Sequence, residues 1–159
     1  MYIPFQEMPN QARIWVYQAS RSLQASEIDQ ITQTITEACQ AWEAHGAPLQ
    51  ASFEIRHKQV IIVAVNEAMN AASGCSIDAS TRWFKTLGES FQVDFFNRDL
   101  AVVRNEQVTL IGLGQLKSSI EAGNLHPADQ IITPLLQTLK QYREAWTCKA
   151  ADSYLKRYF

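Results

Sequence analysis

Between an aliphatic run and an amphipathic stretch the chain reads Asn66-Glu67-Ala68-Met69-Asn70-Ala71-Ala72-Ser73-Gly74-Cys75-Ser76-Ile77-Asp78. The small residues here allow close backbone approach. The helix expected over Ile77–Phe91 offers unpaired N–H groups and the positive end of its dipole, so an anion is favoured at its start. Asn66, Glu67, Ser73, Gly74, Cys75, Ser76 and Asp78 are therefore the candidate ligand-binding set, for a small ligand carrying a carboxylate or phosphate. A thiol beside a helix start is a recognised setting for a nucleophile. Cys75, or Glu67 in the same loop, is accordingly the candidate catalytic residue of an alternative, enzymatic reading. The plain structural reading is a strand-to-helix loop in which Ser76 or Asp78 caps the helix.

Other chemistry-bearing residues give weaker patterns. Gly112-Leu113-Gly114-Gln115-Leu116-Lys117-Ser118-Ser119 invites comparison with the phosphate-binding GxxxxGK[ST] loop. It fails where that loop is most demanding: Leu116 stands in place of the glycine before the lysine, and Gly112 is one residue too close to Lys117. An ATPase is not supported. His45, His57 and His126 lie in three separate segments with no HxxxH or HxH pairing, so no metal site and no cofactor is expected. Asp94 and Asp99 flank Phe95-Phe96-Asn97-Arg98, a pattern that suits loop solvation and Asp–Arg pairing. The tail Tyr154-Leu155-Lys156-Arg157-Tyr158-Phe159 mixes aromatic and basic groups, which suits packing on the domain or on a second subunit. Trp83 falls off the apolar face of its helix and is a candidate lining or contact residue.

Composition narrows the classes further. The chain has 159 residues, 47% hydrophobic and 19% charged, enough for one domain with a real core. A formal net charge of -2 lacks the basic footprint of a nucleic-acid partner. Cys39, Cys75 and Cys148 are widely spaced and form no CxxC, which argues against a zinc ribbon or a disulfide framework. The opening MYIPFQEMPNQAR has neither the basic nor the apolar part of a signal peptide. The longest purely apolar run, Val60–Val65, has 6 residues and is far too short for a bilayer. A cytoplasmic protein with no membrane partner is expected.

The elements that must carry these residues follow from periodicity. Residues 1–11 read as an arm whose Tyr2, Ile3 and Phe5 fold back onto the body. Arg13–Ala19 is β-branched and aromatic, a strand. Ile28, Ile31, Ile35, Cys39 and Trp42 recur every three or four residues and mark one face of a helix over Ala25–Ala44, ended by His45-Gly46. Ser52–Arg56 and Gln59–Asn66 form a hairpin, and the unbroken apolar run Val60–Val65 predicts a central strand covered on both sides. After the second helix come a hairpin, Leu100–Val103 with Gln107–Gly112, and a short helix Gln115–Ala122. Thr133-Pro134 reads as the start of a C-terminal helical segment over 134–159.

The order β-α-β-β-α-β-β-α-α gives one α+β domain over 1–159. It is an antiparallel sheet with helices packed on one face: a ferredoxin-like βαββαβ core plus an extra strand and C-terminal helices. A profilin-like sheet is the competing arrangement. The segments YIPF…P…ARIWVYQA and VNEAMNAASGCSID resemble a family of small bacterial proteins of undetermined function, often labelled "ABC transporter ATPase". The resemblance runs over most of the chain and implies a cytoplasmic domain without bringing an activity. The label is at odds with the missing phosphate loop and the missing LSGGQ-like signature. The functional expectation is a binding or interaction domain, forming a homodimer and holding a small anionic ligand at 66–78. The alternatives are a small enzyme using Cys75 or Glu67, and a structural protein–protein interaction module.

Overall fold

The computed structural model describes all residues, 1–159. Strand β1 (Arg13–Gln18) leads to α1 (Ala25–Ala41), a two-residue ribbon β2 (Glu43–Ala44) and β3 (Ala47–Pro48), and then β4 (Gln50–Arg56) and β5 (Val60–Asn66). Helix α2 (Gly74–Phe91) precedes β6 (Leu100–Arg104), β7 (Gln107–Ile111), α3 (Leu116–Glu121), β8 (Gln130–Ile132), α4 (Leu139–Ala145) and β9 (Thr147–Lys149). The class is α+β with antiparallel sheets. No helix is long and apolar enough to cross a membrane.

The first sheet has the order β1-β5-β4, antiparallel at both junctions, with Trp15 opposite Val63 and Glu54 opposite Ile62. Every residue from Val60 to Val65 is buried, as the unbroken apolar run requires. The pleat sends Ile61, Val63 and Val65 into a core with Ile31 and Ile35 of α1 and Phe84 of α2. It sends Val60, Ile62 and Ala64 into a second core with Phe5, Met8, Leu139 and Tyr142. Burying each of these valine and isoleucine side chains is worth about 1.5–3 kcal/mol, so β5 ties both layers together. The two long helices thus lie on one face, while α4 and the folded-back arm cover the other.

The fourth strand of the ferredoxin-like order takes a different place. Val93 and Phe95 are buried in the first core, and Phe96 makes a single parallel bridge to Gln18 before the chain leaves the edge of β1. Strand β6 then enters a second sheet, ordered β7-β6-β8-β9, with its own core of Leu100, Val102, Ile111, Leu125, Ile131 and Leu155. Strand β8 lies outside the expected elements and β9 replaces part of the helical segment expected over 134–159; three residues each is too short to show a period.

Three boundaries also differ from expectation. Helix α1 stops at Ala41, and His45-Gly46 (φ 53° and 75°) instead turn the β2–β3 ribbon, where two left-handed residues match the strand twist. Helix α2 starts at Gly74, because Ser73 rather than Ser76 or Asp78 is the N-cap and its hydroxyl accepts from the Ser76 N–H. Thr133-Pro134 starts no helix. Leu135 has φ 60° and Thr138 caps α4, so the C-terminal segment is one short helix, a strand and two 3-10 turns, Ala150–Asp152 and Tyr154–Tyr158.

Candidate functional site

The 66–78 loop is held together by its own polar groups. The Asn66 side-chain amide donates to Gln50 Oε1 at 2.7 Å, and its Oδ1 accepts from the Ala68 N–H. Glu67 Oε2 accepts from the Ala72 N–H at 2.9 Å. Asn70 reaches across to the carbonyls of Ala44 and Ala47, which pins the loop on the β2–β3 ribbon. Ser73 and Ser76 complete a reciprocal cap, and the Ser76 carbonyl accepts from the Trp42 indole at 2.9 Å. Gly74, Cys75 and Asp78 are exposed in the first turns of α2, and Ser76 is buried. The structure therefore brings these residues together as a capped turn in which Asn66, Glu67, Ser73 and Ser76 already have internal partners. Around Trp42 stand Trp15 and Trp83, with ring centroids 6.3 and 4.8 Å away, so Trp83 packs in an aromatic row.

The Gly112–Ser119 segment becomes a 3-10 turn, Leu113–Gln115, followed by the six-residue α3. Asp129 pairs with Arg104 at 2.6 Å and also accepts from the His126 N–H, so this acid clamps a turn. The guanidinium holds its carboxyl below the usual range. No group of three His, Cys, Asp or Glu side chains is arranged to hold a metal ion.

A further polar cluster lies elsewhere, on β4. Glu54 and Arg56 are two residues apart and project to the same side of the first sheet. The Tyr142 hydroxyl from α4 stands between them, donating to Glu54 Oε2 and accepting from Arg56 Nη1 at 2.9 Å. Burial, with the Glu54 charge adding to it, pushes the Tyr142 phenol well above its ordinary range, so the hydroxyl keeps its proton. The Arg56 guanidinium also lies 5.9 Å from the Tyr142 ring and 5.7 Å from the Trp146 ring, within reach for cation–π attraction. These groups line an open cleft of about 520 Å³, together with Gln6 and Arg143.

The Trp146 indole then donates to His57 Nε2 at 3.0 Å. An accepting Nε2 places the ring proton on Nδ1, which lies 3.2 Å from the Glu106 carbonyl in the β6–β7 turn. His57 pins together the first sheet, the end of α4 and the second sheet, and its side chain is 3% exposed. On its other side a second cleft, of about 730 Å³, runs between Ile55, Lys58 and the residues Asn105–Val108.

These two clefts lie on opposite sides of one edge strand. Ala51 exchanges hydrogen bonds with Met1 and Ile3, so its N–H and C=O point away from β5. By alternation those of Phe53 and Ile55 point outward too, and no backbone group pairs with them. Sequence reasoning missed this edge. Its signal was the pattern Phe53-Glu54-Ile55-Arg56, apolar and charged residues alternating in a strand that ends the sheet. No protein-family model, no curated protein and no solved structure matches the chain.

Proposed function

We propose that this chain is a non-catalytic binding domain that receives an extended polypeptide segment along the free edge of β4. The observation that carries this reading is the outward-facing backbone of Phe53 and Ile55, left open between clefts of about 520 and 730 Å³. Strand addition draws affinity from main-chain hydrogen bonds and specificity from pockets that take alternate side chains. Here one set of side chains enters beside Glu54, Arg56 and Trp146, and the other beside Ile55 and Lys58. A carboxylate on the incoming segment meets Arg56, which retains the anionic preference read from the sequence but moves it from the 66–78 loop to β4. The β1–α1–β4–β5–α2 scaffold presents this edge.

The test is a titration of the ¹⁵N-labelled chain with a capped heptapeptide copying Ala51–His57. Shifts concentrated at the Phe53 and Ile55 amides and at the Trp146 indole N–H are expected. Shifts confined to residues 73–78, or none at about 1 mM peptide, would refute the reading, since about 4 kcal/mol of binding free energy is already visible at that concentration.

A further inference from the structure

Resting on that reading of the β4 edge, we infer that the segment it receives is β4 of a second copy, so that the chain forms a two-fold dimer centred on Ile55. A closed two-fold interface uses the same patch on both subunits, so the patch must complement itself. The β4 edge does so. In an antiparallel pairing with Ile55 opposite Ile55 of the other copy, Glu54 falls opposite Arg56 and Arg56 opposite Glu54, on one side of the joined sheet. Opposite charges at facing positions stabilise such a pair, and like charges oppose it. The Tyr142 hydroxyl already holds Glu54 and Arg56 side by side on that face. On the other face Ile55, partly exposed over the second cleft, meets its own copy. The outward N–H and C=O of Ile55 then exchange bonds with those of the facing Ile55. The three-stranded sheet β1-β5-β4 becomes six-stranded across the dimer, and the unpaired edge disappears.

The β1 and β7 edges fit a second copy less well. The outer side of β1 is interrupted at both ends, where Ile14 N–H donates to the Gln137 carbonyl and Gln18 bridges to Phe96, leaving only Val16 free. Strand β7 is open but carries Gln107-Val108-Thr109-Leu110-Ile111, with no charge to fix a register.

Sedimentation velocity on the whole chain, with charge reversals, tests the pairing. Arg56→Glu sets two carboxylates against each other across the two-fold axis, and Glu54→Arg sets two guanidinium groups against each other. Each is expected to weaken the dimer by about tenfold or more. The double exchange, Glu54→Arg with Arg56→Glu, restores opposite charges and is expected to recover affinity to within about threefold. Loss of the Tyr142 contacts alone cannot produce that recovery. Independently, Ile55→Cys in a Cys75→Ser, Cys148→Ser background is expected to crosslink under mild oxidant. A hydrogen-bonded antiparallel pair holds its Cα atoms about 5.5 Å apart, within disulfide reach. Val16→Cys in the same background is the collision control. A chain that sediments as a monomer at about 100 μM overturns the inference, as does a folded double exchange that stays weak, or equal crosslinking at positions 16 and 55. Heptapeptide shifts at Phe53 and Ile55 in a monomeric chain would leave the binding edge standing and remove only the self-pairing.

Discussion

Replacing Tyr142 with phenylalanine isolates the cluster on which the β4 face depends. The ring packs in the core beside Phe5, edge-on at 5.8 Å, and remains in the variant; only the hydroxyl is lost. With it go a bond donated to a carboxylate and one accepted from a guanidinium. Bonds to charged groups contribute about 1.5–3 kcal/mol. Both partners line an open cleft, so water re-solvates them and reduces the loss to about 1–2 kcal/mol. For a domain of this length that lowers the melting temperature by about 3–6 °C at neutral pH.

The pH dependence adds a second signature. The folded phenol titrates above the unfolded one, so its stabilisation is complete below pH about 10, where the unfolded phenol is still protonated. Above that pH the unfolded chain sheds the proton first, and the contribution fades as pH rises towards the folded value. The wild-type advantage over Tyr142→Phe should therefore be flat from pH 6 to about 9 and shrink beyond about 10. Thermal and urea melts of the two proteins across that range supply the measurement. An advantage under about 0.3 kcal/mol at neutral pH, or one that grows with alkalinity, would refute the reasoning.

Three further substitutions and one labelling experiment have definite expected outcomes. Gly88→Ala places a Cβ 2.5 Å from the Val93 carbonyl, so it should lower stability by about 1–3 kcal/mol in urea melts despite alanine's better helix propensity. Glu27 is held at a pKa of about 2 by Arg21 and by the Gln24 N–H. Its stabilisation is present above pH about 4.5 and lost as pH falls towards about 2, and Glu27→Gln should flatten that part of the acid-stability curve. Ser52 is buried and its hydroxyl has no partner, so Ser52→Ala should be neutral or raise stability by up to about 1 kcal/mol in the same melts. In thiol labelling, exposed Cys75 should react first, Cys148 more slowly and Cys39 only on unfolding, since burial holds the Cys39 thiol up at about 12; early modification of Cys39 would contradict the packing of α1.

Much of the scaffold was legible because its signals are local. The six apolar residues of β5 and the three-to-four spacing in α1 each declare burial within a single element. Boundaries were less legible where two signals compete. Ser73 and Ser76 are both good caps, and only the geometry selects Ser73. Thr133-Pro134 has the form of a helix start, yet Thr138 with Gln141 forms the cap that is used. The 66–78 loop stands out through its composition, and its polar residues proved to be the material of caps and turns. The β4 cluster was not legible, because Glu54 and Arg56 gain meaning only from Tyr142, Trp146 and the pairing order of the sheet. Tyr142 stands 88 and 86 positions further along the chain from Glu54 and Arg56, and no local pattern joins these residues.

The separate core of the second sheet has a consequence for how the molecule opens. Its eight buried residues come from the chain after residue 99, and it meets the first sheet's layers at few points: Ile132 of β8 packs on the second core, and His57 to Glu106 and Gln18 to Asp99 tie the two sheets. Strand β5, by contrast, is enclosed by two layers at once. Amide exchange should therefore proceed in two tiers, with β6, β7 and β8 exchanging through a partial opening that leaves β5 protected. Residues 61–65 should exchange only when the whole chain unfolds, and detachment of the second sheet would take with it the Asn105–Val108 wall of the cleft beside Ile55.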